Sequence, residues 1–294
     1  MKDKSSSNRN VYEKIMDQFS LKNKVAIVTG AGQGIGRAIA LTFAKAGAEL
    51  AIVDIDSASA NATVQEIHNF GGKALALSVD VCNTRQADGM VRETLEQFKR
   101  IDISVHNAGG GYPTKATIEM SEEDWDKSVT LNLKSAFLCC RAVGKVMVKL
   151  EKGSIVNMSS MAGFGPYPLG ANYAAAKAGV KNLTENLAVE LGPYNVRVNA
   201  LAPGPVETPT IAEYYKEHPE IKEQRLKAIP LRRIASPEDI ANVALFLASD
   251  ASGYVSGQTI LINGALATFV TPELIGELKK RSLEVIGDMY LTEK

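Results

Sequence analysis

Val25-Ala-Ile-Val-Thr-Gly-Ala-Gly-Gln-Gly-Ile-Gly-Arg-Ala-Ile-Ala40 is the stretch whose reading decides the fold. Val25 to Val28 are apolar and largely β-branched, the composition of a strand buried on both faces. Gly30, Gly34 and Gly36 follow, and the run from Arg37 onward reads as a helix with one apolar face. Strand, glycine-rich turn and helix in this order form a phosphate-binding unit. The glycines let the backbone approach a pyrophosphate, and the helix start offers free N–H groups at the positive end of its dipole. The next apolar run, Ala51-Ile-Val-Asp54, ends in an acid about twenty residues beyond the glycines, where an acceptor for a ribose hydroxyl belongs.

The same alternation runs through the chain. Strands are expected over 24–29, 49–54, 73–79, 101–106, 153–158, 195–200 and 258–263, and helices near 34–46, 57–70, 84–98, 121–149, 172–191, 210–227 and 236–248. Ser121-Glu-Glu-Asp and Ser236-Pro-Glu-Asp are N-cap sequences with acids in the first turn. Alternating β and α segments argue for an α/β fold: a Rossmann-like, doubly wound parallel sheet of about seven strands with helices on both faces. Ligands then bind at the carboxyl ends of the strands.

A second constellation lies downstream. In Tyr173-Ala-Ala-Ala-Lys177 the lysine follows four residues after the tyrosine, so on a helix both side chains share one face. A free phenol titrates near ~10, and a fixed ammonium beside it is expected to lower that value towards neutrality. Such a tyrosine exchanges a proton with an alcohol or carbonyl oxygen at pH 7. Ser160 is then placed to hydrogen-bond the same oxygen. Taken alone, Tyr-x-x-x-Lys is as compatible with a packed tyrosine beside a solvated lysine; the independent phosphate-binding motif is what favours chemistry.

Together, Thr29-Gly-x-x-x-Gly-x-Gly36, Asn107-Ala108-Gly109, Ser160, Tyr173-x-x-x-Lys177 and Pro203-Gly204 resemble the short-chain dehydrogenase/reductase family, in family order, over about residues 20 to 265. The resemblance implies hydride transfer between a secondary alcohol or ketone and a nicotinamide. Tyr173 would be the acid/base and Ser160 would orient the reacting oxygen. Lys177 would lower the Tyr173 pKa and hold the nicotinamide ribose, while Asn132 would keep a water leading to Lys177 through a local helix distortion. Cofactor contacts carried over are Gly30, Gln33, Gly34, Ile35, Gly36, Asp54, Asp80, Val81, Asn107, Ala108, Gly109, Tyr173, Lys177, Pro203, Gly204, Val206 and Thr208. His106 stands where the family more often has a second Asn, and it reads as a strand-end packing residue. His68 and His218 read as surface residues.

Cofactor choice follows from charge. Asp54 would accept from the ribose hydroxyls of NAD and repel the 2′-phosphate of NADP, and no Lys or Arg replaces it. The expected cofactor is NAD. Gly110, Gly111, Tyr112, Phe164, Tyr167, Leu169 and Tyr214 are the expected substrate pocket, with residues 209–229 as a lid. Which alcohol or ketone is taken stays open. The alternatives are an NADPH-dependent reductase of 3-oxoacyl thioesters and a catalytically silent nucleotide-binding subunit, although all four catalytic positions are filled. A related nucleotide-sugar epimerase would carry a larger C-terminal lobe.

The 294 residues are 45% hydrophobic with zero formal net charge, enough for one large core and without the basic excess of a nucleic-acid binder. Cys82, Cys139 and Cys140 suit reduced core thiols, no metal cluster is indicated, and the polar start MKDKSSSNRN has no signal-peptide core. A cytoplasmic enzyme without membrane or nucleic-acid partners is expected. The expected organisation is an N-terminal extension over 1–20, one dinucleotide-binding and catalytic domain over 21–265, and a C-terminal helical extension over 266–294. Val11, Tyr12, Ile15, Met16 and Phe19 recur at helical spacing. The resemblance implies a homotetramer, and the segment 271–290 is expected to pack on a neighbouring subunit near its lid.

Overall fold

A computed structural model describes residues 13–111 and 115–266. Seven parallel strands carry the fold: β1 (Val25–Thr29), β2 (Glu49–Asp54), β3 (Ala74–Ser78), β4 (Ile103–His106), β5 (Gly153–Met158), β6 (Val196–Pro203) and β7 (Thr259–Ile262). They lie in the order β3-β2-β1-β4-β5-β6-β7. The chain winds outward from β1 to β3 and then returns to place β4 beside β1. That reversal opens a crevice at the carboxyl ends of β1 and β4, the binding position of doubly wound sheets.

Period-two alternation explains why the central strands are apolar throughout. On β1, Ala26 and Val28 join a core with Ile39 and Phe43 of α1 (Gly34–Lys45), Ile67 of α2 (Ser57–Asn69) and Leu247 of α9 (Pro237–Ala248). Between them, Ile27 faces the other way, towards Met90 of α3 (Thr84–Phe98) and Val143 and Met147 of α5 (Ser135–Leu150). A strand covered on both faces cannot afford polar alternation.

The expected helix over 121–149 is interrupted. It runs as α4 (Glu122–Val129), a π turn at Thr130–Lys134, and α5. Its start is as read, with Ser121 Oγ accepting from the Asp124 N–H at 3.1 Å. The expected helix over 210–227 is two, α7 (Pro209–Glu217) and α8 (Pro219–Ala228). Pro219 denies His218 a helical conformation, and that residue sits at φ −129°, ψ 65°. β6 runs three residues further than expected and ends on Pro203 itself. Ser236 and Asp239 close a reciprocal capping box on α9.

At the amino end, residues 13–17 are helical, with Ile15, Met16 and Phe19 exposed. Val11, Tyr12 and the proposed packing segment 271–290 lie outside the described residues. No described helix is long and apolar enough to cross a membrane.

Candidate active site

A cleft of about 440 Å³ opens at the reversal point of the sheet. Its floor is the glycine-rich turn: Gly30, Gln33, Gly34 and Ile35 line it at the start of α1. Gly30 and Gly34 hold φ of 62° and 55°, left-handed values that favour glycine. A Cβ on Gly30 would stand 2.9 Å from the Ala108 Cα, so the turn and the end of β4 approach as backbone. Asn107 sews them together, its amide donating to the Thr29 and Gly30 carbonyls at 3.1 Å each. Thr29 Oγ1 accepts from the N–H groups of Asn107 and Ala108. Gln33 makes no side-chain cap and the first turn of α1 has no acid. Its orphan N–H groups therefore face the cleft with the positive dipole end, the donor set a pyrophosphate fits.

Acids line the adjacent wall. Asp54, at the end of β2, accepts from the Gly32 N–H at 2.9 Å and the Asp56 N–H at 3.1 Å. Asp80, after β3, accepts from the Cys82 N–H at 2.9 Å beside Val81. Arg37 is committed to Glu66 outside the cleft. Lys177 is the one Lys or Arg among the described lining residues.

Three consecutive residues at and just past the end of β5 tie α6 (Ala171–Leu191) to the cleft. Asn157 Nδ2 donates to Thr184 Oγ1 at 3.0 Å, and the Met158 carbonyl accepts from Lys177 Nζ at 2.8 Å. Ser159 Oγ donates to the Lys177 carbonyl at 2.8 Å, and the Ser160 hydroxyl acts on the Tyr173 phenol, drawing its pKa down. Lys177 Nζ lies 5.6 Å from the centroid of the Tyr173 ring. Asn132 sits in the π turn, where the widened helix turns its amide outward to Gly110. Its Oδ1 accepts from the Gly110 N–H at 3.1 Å and its Nδ2 donates to the Gly110 carbonyl at 2.9 Å. Gly109 separates Asn132 from Lys177, since a Cβ there would stand 2.8 Å from Asn132 Oδ1 and 3.3 Å from Lys177 Nζ.

The electrostatics correct one expectation. Burial pushes the Tyr173 phenol above its ordinary value, and the Ser160 hydrogen bond opposes that only in part. Burial holds Lys177 down at about 8. Lys177 Nζ donates to the Met158 carbonyl and stands 5.6 Å from the ring centroid, and the direction at the phenol is set by its own burial.

Not every expected residue lines the cleft. Gly36 lies beneath the turn, where a Cβ would collide with the Gly30 carbonyl, so it permits packing. Pro203, Gly204 and Val206 are not among the lining residues, nor are Ser160 and Asn132: Gly204 is pressed against Asn263, and Val206 is 7% exposed and bridges Ala235. Thr208 does line it and caps α7, accepting from the Ile211 N–H. Of the substrate-pocket residues, Gly110 lines the cleft and Gly111 is exposed. Phe164, Tyr167, Leu169 and Tyr214 stand exposed beyond it, with the Tyr167 ring 6.1 Å from Tyr173. Tyr112 lies outside the described residues. The sequence reading missed Val53, Ile55, Val79, Leu131 and Met158, all of them in the lining, while Pro209 and Thr210 enter it from the start of the expected lid. Strand ends supply three of these, and sheet register was the signal that could have found them.

Known proteins share this architecture. The family described as enoyl-(acyl carrier protein) reductase matches residues 30–266. The (2S)-[(R)-hydroxy(phenyl)methyl]succinyl-CoA dehydrogenase subunit BbsD of Thauera aromatica is 42% identical over 255 residues, covering 85% of this chain and 99% of the relative. The 3-oxoacyl-[acyl-carrier-protein] reductase FabG of Thermotoga maritima is 42% identical over 246 residues, covering 84% and 98%. A solved 7α-hydroxysteroid dehydrogenase complexed with NADH and 7-oxo glycochenodeoxycholic acid superposes with a TM-score of 0.81 at 38% identity, covering 85% of this chain and 97% of that one. A parallel sheet wound about a glycine-rich turn, with tyrosine and lysine on one helix beside the cleft, and relatives of this similarity along nearly their whole length, lead to one conclusion: the chain belongs to the short-chain dehydrogenase/reductase family of nucleotide-dependent oxidoreductases.

Proposed function

We propose that the protein interconverts a secondary alcohol and a ketone with NAD(H). The observation that carries the reading is the pair on α6: Tyr173 and Lys177, 5.6 Å from ring centroid to Nζ, line the same cleft that the glycine-rich turn floors. The nicotinamide, when bound, supplies or accepts the hydride. Ser160 hydrogen-bonds the reacting oxygen and fixes it against the phenol. Tyr173 gives that oxygen a proton in reduction and takes one in oxidation. Lys177 and Asn132 shape the polar side of the site behind it. Tyr173→Phe is expected to lower kcat at least 100-fold, within the range that general acid–base catalysis contributes, at about unchanged NADH affinity. Retention of more than about a tenth of wild-type kcat would overturn the role.

NAD preference is supported by two carboxylates on the adenosine side of the cleft and by Arg37 being paired away with Glu66. A 2′-phosphate there would meet Asp54 without a cation to neutralise it. The comparison of kcat/KM for NADH and NADPH tests this, and a preference for NADPH sinks it. That outcome would favour the second reading, a 3-oxoacyl-thioester reductase, which the name of the Thermotoga maritima relative supports. Assays with steroid, polyol, hydroxyacyl-CoA and cyclic alcohols resolve the substrate.

A further inference from the structure

Beneath the cleft lies a chain of buried polar groups that the proposed chemistry does not use. Ser104 Oγ is 2.9 Å from His106 Nε2, and His106 Nδ1 is 2.8 Å from Asn157 Oδ1. Asn157 Nδ2 then donates to Thr184 Oγ1 at 3.0 Å, and that hydroxyl donates to the Val180 carbonyl at 2.8 Å. Ser104, Asn157 and Thr184 are fully buried and His106 is 3% exposed. Thr184 spends its one proton on Val180, so it can only accept from Asn157, and this fixes the orientation of the amide. Asn157 Oδ1 is then the acceptor, His106 Nδ1 must carry the ring proton, and Nε2 accepts from Ser104. Cys140 Sγ, 3.3 Å from Asn157 Oδ1, adds a second weak donor to the same oxygen. From Ser104 to Thr184 the donors point one way, from β4 through β5 into α6, while Cys140 of α5 joins from the side, 3.3 Å from His106 Nδ1 as well.

Both ends of this chain matter to the site. His106 immediately precedes Asn107, Ala108 and Gly109, the cleft floor contributed by β4. Thr184 lies seven residues after Lys177, on the same face of α6. Asn157 is the first of three consecutive residues, with Met158 and Ser159, that hydrogen-bond α6 at Thr184 and Lys177. We propose that His106 is a positioning residue: by holding the Asn157 amide in one orientation it sets the distance between the β4 floor and the Tyr173–Lys177 face of α6. The proposal rests on the oxidoreductase reading for its kinetic consequence, but its structural core does not depend on the substrate.

An asparagine at 106 can keep the donor to Asn157 and lose only the Ser104 link; a leucine loses both. The test compares His106→Asn, His106→Leu and Thr184→Val, the last removing the next link on α6 with little change of volume. His106→Leu and Thr184→Val are expected to lower kcat roughly tenfold, the cost of a displacement that spoils the reacting geometry, with NADH affinity and substrate KM changed less than about twofold. His106→Asn is expected to stay within about threefold of wild type. A second readout needs no substrate: the titration of Lys177, followed by the 13Cε resonance of labelled lysine and assigned with Lys177→Met. Its midpoint near 8 is expected to move upward in His106→Leu and Thr184→Val as water reaches the ammonium, and to hold in His106→Asn. Should His106→Leu fail to fold, Thr184→Val decides. A wild-type Lys177 midpoint in Thr184→Val, equal impairment in the Asn and Leu variants, or a loss of NADH affinity as large as the loss of kcat would each overturn the proposal. Wild-type protein that turns over no alcohol or ketone, with the Lys177 shifts still present, would instead overturn the functional reading and leave His106 in its role.

Discussion

Tyr173 and His106 are both perturbed by burial, and each sets a pH dependence that can be measured. A phenol held above its ordinary value is protonated at pH 7, so it is ready to donate to a ketone and must be deprotonated to accept from an alcohol. Ketone reduction is therefore expected to be efficient at neutral pH, while alcohol oxidation climbs with pH through the alkaline range. A pH–rate profile of oxidation that falls above pH 7 would contradict this. His106 acts on stability. Burial holds its pKa at about 4, below the ordinary 6.5, so the unfolded chain binds the extra proton between those values. Stability from this group is full above the unfolded pKa and declines as pH falls from 6.5 towards 4. Between pH 7 and pH 5 the loss amounts to about 2 kcal/mol. Urea unfolding of wild type and His106→Asn at the two pH values checks it, because the difference between the proteins should shrink at pH 5.

At the scale of elements, close approaches decide more than propensities. The start of α1 can lie on the turn before it only because residue 36 has no side chain. Gly36→Ala must push backbone against backbone, at a cost of about 1–3 kcal/mol, and it displaces Gly30 from the cleft floor. Loss of NADH affinity in that variant together with a lower denaturation midpoint is the expected result. The π turn at Thr130–Lys134 has a comparable part, since it lets one helix run on from α4 to α5 while Asn132 turns aside to grip both backbone groups of Gly110. Asn132→Ala leaves the Gly110 groups and the Ser128 carbonyl without that partner and is expected to lower kcat more than it lowers NADH affinity. Parallel losses in both would show that the amide only holds the loop.

For the molecule as a whole, nucleotide binding and folding are linked, because the cleft exists only when β1, β2, β3, β4 and α6 are assembled. A ligand at 100 times its dissociation constant stabilises the folded state by about 2.7 kcal/mol. NADH is therefore expected to raise the melting temperature measurably, and NADPH at the same concentration to raise it less, given the two carboxylates on that wall. An equal or larger shift with NADPH would reverse the assignment of cofactor.

What the sequence determined by itself was the order of elements and the family motifs, because both are written in local patterns. Strands buried on two faces must be apolar runs, a phosphate turn must be glycine-rich, and Tyr173 and Lys177 must be four apart to share a helix face. Local signals also placed Ser121 and Ser236 at helix starts. The tertiary structure alone decided which of those residues reach the cleft. Gly36, Pro203, Gly204 and Val206 carry motif identity yet are not among its lining residues; Gly36, Gly204 and Val206 meet Gly30, Asn263 and Ala235 instead. It also decided the sign at Tyr173, which desolvation by surrounding elements sets even with a lysine one helical turn away. And it turned His106, a strand-end residue by its sequence position, into the junction of β4, β5 and α6, since only the fold brings Asn157 and Thr184 to its ring.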